Sequence, residues 1–173
     1  MLGRPMQPAQ KKFLLRFALF LVAFYALVAI RPVNDAVVVP FTAFLVKLSA
    51  GLLAAIGETV TTSGTVIRSS LFAVDVKNGC NGIEATLLLL AAILAFPAPA
   101  KARLLGITVG LAAIQAVNLV RIVSLFWLGA HRRDVFELFH AAVWQTLLIL
   151  LAVGIFLAWG RRLRGGGAAA AGA

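Results

Sequence analysis

A single cysteine among 173 residues excludes an internal disulfide, and with only His131 and His140 to join it, Cys80 makes a poor structural zinc set. Dithiol exchange needs a second cysteine that is absent. There is no Gly-x-Ser-x-Gly and no His-Glu-x-x-His, so serine-type and zinc-dependent intramembrane proteolysis lack their residues. Acid is scarce as well: six acidic against 16 basic side chains leave a net charge of +10, a balance that often signals nucleic acid. Here, however, Arg4, Lys11, Lys12, Arg16, Lys101, Arg103, Arg161, Arg162 and Arg164 all flank apolar runs, as topology-setting charges do in membrane proteins. That placement rejects nucleic acid as a partner. No internal repeat is evident, and the one thiol is free or reactive.

What the chain has in abundance is apolar side chain. With 62% hydrophobic residues and a mean hydropathy of +1.00 it exceeds the apolar share of a soluble domain, and it reads as an all-α integral membrane helix bundle in the lipid bilayer. Its length accommodates four to five long helices of roughly 20 residues and leaves no room for a second soluble domain. Apolar runs cover Phe13 to Ile30, Ala36 to Gly57, Ile83 to Phe96, Leu104 to Trp127 and Phe136 to Trp159. The first follows basic residues as a signal peptide does, yet no small-x-small cleavage site precedes Arg31-Pro32, so an uncleaved span is expected. The positive-inside rule puts the amino terminus, the tight Pro97-Ala98-Pro99-Ala100-Lys101 loop and the Arg161 end in the cytoplasm. Three such points on one side require an even number of crossings. The run with Pro40 and Lys47 is the weakest span, because a mid-span lysine costs roughly 2.5–3.5 kcal/mol on insertion scales. It is expected to lie at the outer surface as an interfacial or re-entrant helix; the competing reading has it span, with the amino terminus outside. Both leave Cys80 outside.

Between Glu58 and Gly79 the composition shifts to Thr, Ser, Gly and Val, and Phe72, Val74 and Val76 alternate with Ala73, Asp75 and Lys77. This predicts a short β-hairpin or strand segment on the extracytoplasmic side, with Ser63-Gly64 and Asn78-Gly79 as turns and an edge able to accept an extended peptide. A plain covering loop is the alternative. Residues 1–160 form one membrane-embedded domain in this reading, and 161–173 a basic, then Gly/Ala-rich disordered tail.

Cys80 sits in Asn78-Gly79-Cys80-Asn81-Gly82 at the mouth of an apolar helix. Asn81 followed by Glu84 resembles a helix-capping pair, which starts the helix near Gly82 and leaves Cys80 just outside, where the positive end of the helix dipole lowers a thiol pKa. Gly79 and Gly82 allow a sharp turn and a close substrate backbone. Arg121 lies about six residues below the outer end expected at Trp127, too deep for an idle charge, and Gln115, Asn118 and Arg121 form a slowly winding polar stripe. Snorkelling to the headgroups is the structural alternative for Arg121. His140 opens the last span after an outer loop from Gly129 to Val135, while His131 beside Arg132 and Arg133 reads as loop decoration. Thiol, guanidinium and imidazole therefore reach one layer from three segments, and an imidazole beside a thiol makes an activated nucleophile.

Asn78-Gly79-Cys80-Asn81-Gly82 before an apolar helix, Asn118-Leu119-Val120-Arg121 and the downstream His140 together resemble the exosortase and archaeosortase transpeptidases, in particular the short exosortase H type, over roughly Gly57 to Trp159. Asn81 departs from the Ser or Ala common after the family's cysteine. The resemblance implies a Cys80-Arg121-His140 site in a bacterial inner membrane, facing the periplasm and using no cofactor and no metal. Its partner would be a membrane-anchored protein with a carboxyl-terminal sorting signal: a motif such as Ile-Pro-Thr-Leu followed by Trp-Gly, a transmembrane helix and a basic tail. Cys80 is expected as nucleophile, His140 as base then acid, and Arg121 as oxyanion stabiliser, with Asn81, Glu84 and Asn118 as supporting residues. A non-catalytic membrane scaffold and a small transporter subunit are the alternatives.

Overall fold

Helices dominate a computed structural model that describes residues 7–170, the side chains of 164–170 excepted. Arg4, the Arg164 side chain and the tail from 171 lie outside the described residues. Helix α1 (Pro8–Ala29) starts with proline in its first turn, where a missing N–H costs nothing. The backbone is extended at Ile30, and a second helical stretch runs through α2 (Arg31–Val33), a π-helical segment (Asn34–Val38) and α3 (Val39–Ala55). The widened π turn directly precedes Pro40, which has no N–H to donate and crowds the carbonyl four residues back.

The three-stranded antiparallel sheet follows, with β1 (Thr61–Ser63), β2 (Val66–Arg68) and β3 (Ala73–Asp75) in that order. Thr62 faces Ile67, and Ile67 faces Val74. The alternation read from the sequence is present: Val76 and Ile67 are buried, whereas Ala73, Asp75 and Lys77 are exposed.

Helix α4 (Ile83–Ala95) is only 13 residues, roughly 20 Å at about 1.5 Å per residue. It packs against α1, α5 (Ala100–His131) and α7 (Trp144–Ala170), and most of its side chains are buried, so this central helix does not face lipid along its length. Pro97 and Pro99 stop it, and Arg103 Nη2 donates to the Phe96 carbonyl at 3.1 Å, tying the connection to α5. Phe13, Phe96, Phe156 and Trp159 cluster here, and Trp159 Nε1 donates to the Ala102 carbonyl at 2.9 Å. The start of α1, the proline loop and the later part of α7 thus share one end of the bundle, as the basic flanks require.

The opposite end carries Cys80. The stretch 31–55 is long and apolar enough to cross a membrane, yet both of its ends contact this same end. Asn34 and Thr42 bond the cysteine loop, while Leu53 packs with Ile67 and Phe126. Helix α3 therefore lies across the bundle beneath the sheet, burying Leu45, Val46 and Ser49 and leaving Lys47 exposed. That is the geometry expected of an interfacial helix, although by length and hydropathy the four stretches able to cross a membrane are 8–29, 31–55, 100–131 and 133–163, with α4 a shorter apolar helix among them.

Three expectations need correction. No loop separates residues 129 and 135: α5 runs to His131 and α6 (Arg133–Leu138) begins after the single turning residue Arg132. Nothing between Trp127 and His131 breaks a helix, and Gly129 is buried against the Phe72 ring, a fit a larger residue would spoil. Arg121 consequently lies ten positions before the end of α5 rather than six before Trp127 closes it. The backbone of α7 continues as helix to Ala170 instead of giving way at Arg161, because elongation from a long nucleated span adds one hydrogen bond per residue even through the unfavourable Gly165 to Gly167.

Candidate active site

The cysteine loop is held by amides. Gly79 (φ +92°) and Gly82 (φ +74°) adopt the left-handed backbone that lets the chain turn twice around Cys80. At Gly82 a Cβ would also stand 2.9 Å from Asn118 Cγ, so this position admits no side chain. Asn81 is fully buried; its Nδ2 donates to Thr42 Oγ1 at 3.0 Å and to Asn78 Oδ1 at 3.2 Å, and its Oδ1 accepts from the Ile83 backbone N–H at 3.2 Å. Asn78 Nδ2 in turn donates to Asn34 Oδ1 at 3.0 Å. A Ser or Ala at 81 would be too short to bridge the loop, α3 and the start of α4.

Around this loop the three predicted groups converge. Cys80 Sγ lies 3.1 Å from His140 Nε2, close enough for the thiol to donate when the imidazole proton is on Nδ1. Arg121 Nη2 stands 3.8 Å from the same sulfur and Nη1 3.4 Å from Gln145 Oε1. His140 occupies a second π segment, Phe139–Val143, which joins α6 to α7. Its ring stacks on Phe136 at 5.5 Å, Phe136 meets Phe72 edge-on at 5.6 Å, and Phe72 contacts Phe126 at 5.8 Å. An aromatic column thus runs from the sheet to the imidazole and limits its rotation.

Arg121 is 2% exposed and takes no carboxylate partner within salt-bridge distance among the described residues, and its Nε has no hydrogen-bond partner. Burying a cation without a counter-ion is costly, so the guanidinium favours any negative charge that forms beside it. For the thiol the balance runs the other way from the dipole argument. Burial pushes the Cys80 pKa up, Arg121 pulls it down and Glu84 adds to the rise, leaving it above the ordinary cysteine value. The resting group is therefore a thiol that needs a base.

Residues 8–160 match the family described as Transmembrane exosortase (Exosortase_EpsH). The chain belongs to the transmembrane exosortase family. No curated protein and no solved structure matches it. Membership makes this exosortase a multi-pass integral membrane protein with a cysteine-transpeptidase-like role on membrane substrates that bear sorting signals.

Of the six residues singled out in the sequence, Cys80, Arg121 and His140 meet directly. Asn81 braces the loop, and Asn118 backs Gly82 while donating to Gln115 Oε1 at 3.4 Å, without reaching the sulfur. Glu84 does not cap: the Ile83 N–H goes to Asn81, and Glu84 lines a cleft with Tyr25 of α1 instead. The left-handed Gly82 turn at the entry to α4 leaves the Ile83 N–H to Asn81 in place of a capping box, and the tight fit to α5 excludes a side chain at that position. Sequence reasoning missed Gln145, Thr42, Asn34 and Phe136. Gln145 had a signal, being an uncharged polar residue inside an apolar span; the others serve through tertiary contacts that no spacing announces.

Proposed function

We propose that this exosortase cleaves the carboxyl-terminal sorting signal of a membrane-anchored exported protein and transfers the upstream part through a thioester on Cys80. What carries the reading is the contact of Cys80 Sγ with His140 Nε2 at 3.1 Å beside a buried guanidinium with no carboxylate at salt-bridge distance among the described residues. His140 takes the thiol proton as sulfur attacks the scissile carbonyl, and Arg121 holds the oxyanion that forms. Collapse breaks the C–N bond, His140 returns the proton to the leaving amine, and the acyl group stays on sulfur. An incoming amine or water then loses a proton to His140, attacks the thioester and releases the thiol. We place the site on the periplasmic side of a bacterial inner membrane, because the opposite end carries Lys101, Arg103, Arg161 and Arg162. The signal is of the Ile-Pro-Thr-Leu type with a following Trp-Gly, helix and basic tail.

The test is mass spectrometry of the exosortase co-expressed with a reporter bearing such a signal. The expected product is a reporter truncated at the motif, together with a hydroxylamine-labile adduct on the peptide containing Cys80. A truncated reporter with the adduct on no cysteine would overturn the reading.

Alkylation separates the roles of the partners. Since the thiolate reacts and burial raises the thiol pKa, wild-type alkylation by iodoacetamide should climb with pH and keep rising beyond the range of an ordinary cysteine. His140→Ala should remain alkylatable but react several-fold more slowly near neutrality, the deficit closing at alkaline pH where hydroxide replaces the missing base. Equal rates for the two proteins at neutral pH would remove His140 from the mechanism.

A further inference from the structure

A guanidinium donates hydrogen bonds and never accepts them, so its direction depends on the acceptors placed around it. Among the described residues the Arg121 side chain makes two such contacts: Nη2 reaches Cys80 Sγ at 3.8 Å, and Nη1 donates to Gln145 Oε1 at 3.4 Å. The sulfur is the reacting atom and changes its bonding as it attacks. Gln145 is then the side-chain acceptor that keeps hold of the fork. Since arginine only donates, the amide of Gln145 must turn its oxygen toward Nη1. Arg121 is 2% exposed and Gln145 half-buried, so little water competes for this bond.

The acceptor is neutral, and that matters for the charge. A carboxylate at position 145 would bond the guanidinium more strongly but would also neutralise it, leaving less to offer an oxyanion. An amide oxygen orients the fork and leaves its charge in place. The rest of the pocket is built the same way, with no carboxylate at salt-bridge distance from Arg121 among the described residues.

Gln145 also stands on the helix that carries the base. His140 lies in the π segment Phe139–Val143, and Gln145 is the second residue of α7. In regular α geometry residues five apart are about 140° apart around the axis and face different sides. A π segment bonds each residue to the fifth one on, so five residues come close to a full turn. Imidazole and amide thereby reach sulfur and guanidinium from the same side of one helix.

We propose that Gln145 is a positioning residue for the transfer reaction: its amide oxygen holds the Arg121 guanidinium beside the sulfur without neutralising it, so that the cation faces the oxyanion as Cys80 attacks. This inference rests on the catalytic reading above and adds the group that aims Arg121.

The test uses the full-length exosortase in detergent and the Ile-Pro-Thr-Leu-type reporter. Gln145→Met, similar in length but without the oxygen, should lower kcat about tenfold and leave KM within about twofold, because the misplaced cation is missed only where the oxyanion forms. Gln145→Glu keeps the shape and strengthens the bond, so a purely structural brace would tolerate it. It should instead lower kcat by about tenfold or more while the thermal midpoint stays level or rises. A double-mutant cycle isolates the route: in an Arg121→Met background, adding Gln145→Met should change the residual turnover by less than about twofold, since the amide acts through the guanidinium. Wild-type kcat in Gln145→Met or in Gln145→Glu, a loss carried wholly by KM, or a full further tenfold loss in the Arg121→Met background overturns the positioning role. Should Gln145→Met fail to accumulate in membranes, the nearly isosteric Gln145→Glu decides by its kcat and thermal midpoint. Processing that survives Cys80→Ala overturns instead the catalytic reading on which the proposal rests.

Discussion

Cys80→Ala should yield no truncated reporter while the protein accumulates in the membrane at its normal level. The sulfur is the only thiol in the chain; the serine nearest Arg121, Ser124, has its hydroxyl committed to the Arg121 carbonyl at 3.0 Å, and the described residues hold no metal set. Units of nucleophile and base lose on the order of 10⁶-fold when either member is removed, which in a cell reads as absence of product. Stability should barely change. Cys80 is half-buried at the edge of the cluster formed by Val76, Ile122 and Phe126, and substitutions of this size outside a tight core cost about 1 kcal/mol or less. Quantitative immunoblotting of membranes beside mass spectrometry of the reporter checks both halves. A scaffold protein predicts the opposite pair, unchanged processing with unchanged abundance, so persistence of truncation in Cys80→Ala would falsify the nucleophile assignment.

Arg121 presents a different pattern, in which function and stability should move in opposite directions. Arg121→Met keeps much of the volume but removes a buried charge with no carboxylate within salt-bridge distance among the described residues. Replacing a poorly compensated buried cation by an apolar side chain is often neutral or stabilising, so the thermal midpoint in detergent should stay level or rise. Gln145 loses its partner, which offsets part of the gain by about 1 kcal/mol. Processing should fall by about 10²–10³-fold, the cost of losing one oxyanion donor. Arg121→Lys should rescue little, because an ammonium cannot span sulfur and Gln145 in the manner of the planar guanidinium. Thermal unfolding beside reporter turnover decides the matter: a variant that loses stability and activity together would make Arg121 a packing residue rather than an oxyanion donor.

Much of this arrangement was legible in the chain because it follows from depth. Hydropathy alone put the cysteine loop, Arg121 and His140 at one end, and the cost of burying charge in lipid marked Arg121 as more than decoration. Parity of the basic flanks pointed to α3 as an interfacial helix, with a spanning one as the alternative, and its packing against the sheet and α5 is compatible with the first. The alternation from Phe72 to Lys77 identified the strand whose inward residues now seat the sheet on α3 and α5. What escaped notice was set by tertiary fit. Asn81 and Glu84 look like a capping pair in one dimension, but the left-handed turn at Gly82, where Asn118 leaves no room for a Cβ, goes with Asn81 taking the Ile83 N–H and Glu84 lying beside Tyr25 of α1. The thiol's pKa was misread for a related reason: proximity to a helix start is local, whereas burial depends on everything packed above it. Phe136 looked like any aromatic in an apolar run until the sheet brought Phe72 against it.

The five-residue π segment that holds His140 has a bearing on how the family can vary in length. A π turn accommodates one amino acid more than an α turn needs, so losing a single residue between Phe139 and Val143 would let the helix close into regular α geometry. Because the wider turn and the regular one sweep nearly the same angle, the helices on either side would keep their orientation, and only the residues inside the segment would point elsewhere. The imidazole would be re-aimed away from the sulfur while Phe136 and Gln145, outside the segment, stayed in place, without any change in residue type at the reacting positions. For this stretch of chain, counting matters as much as chemistry.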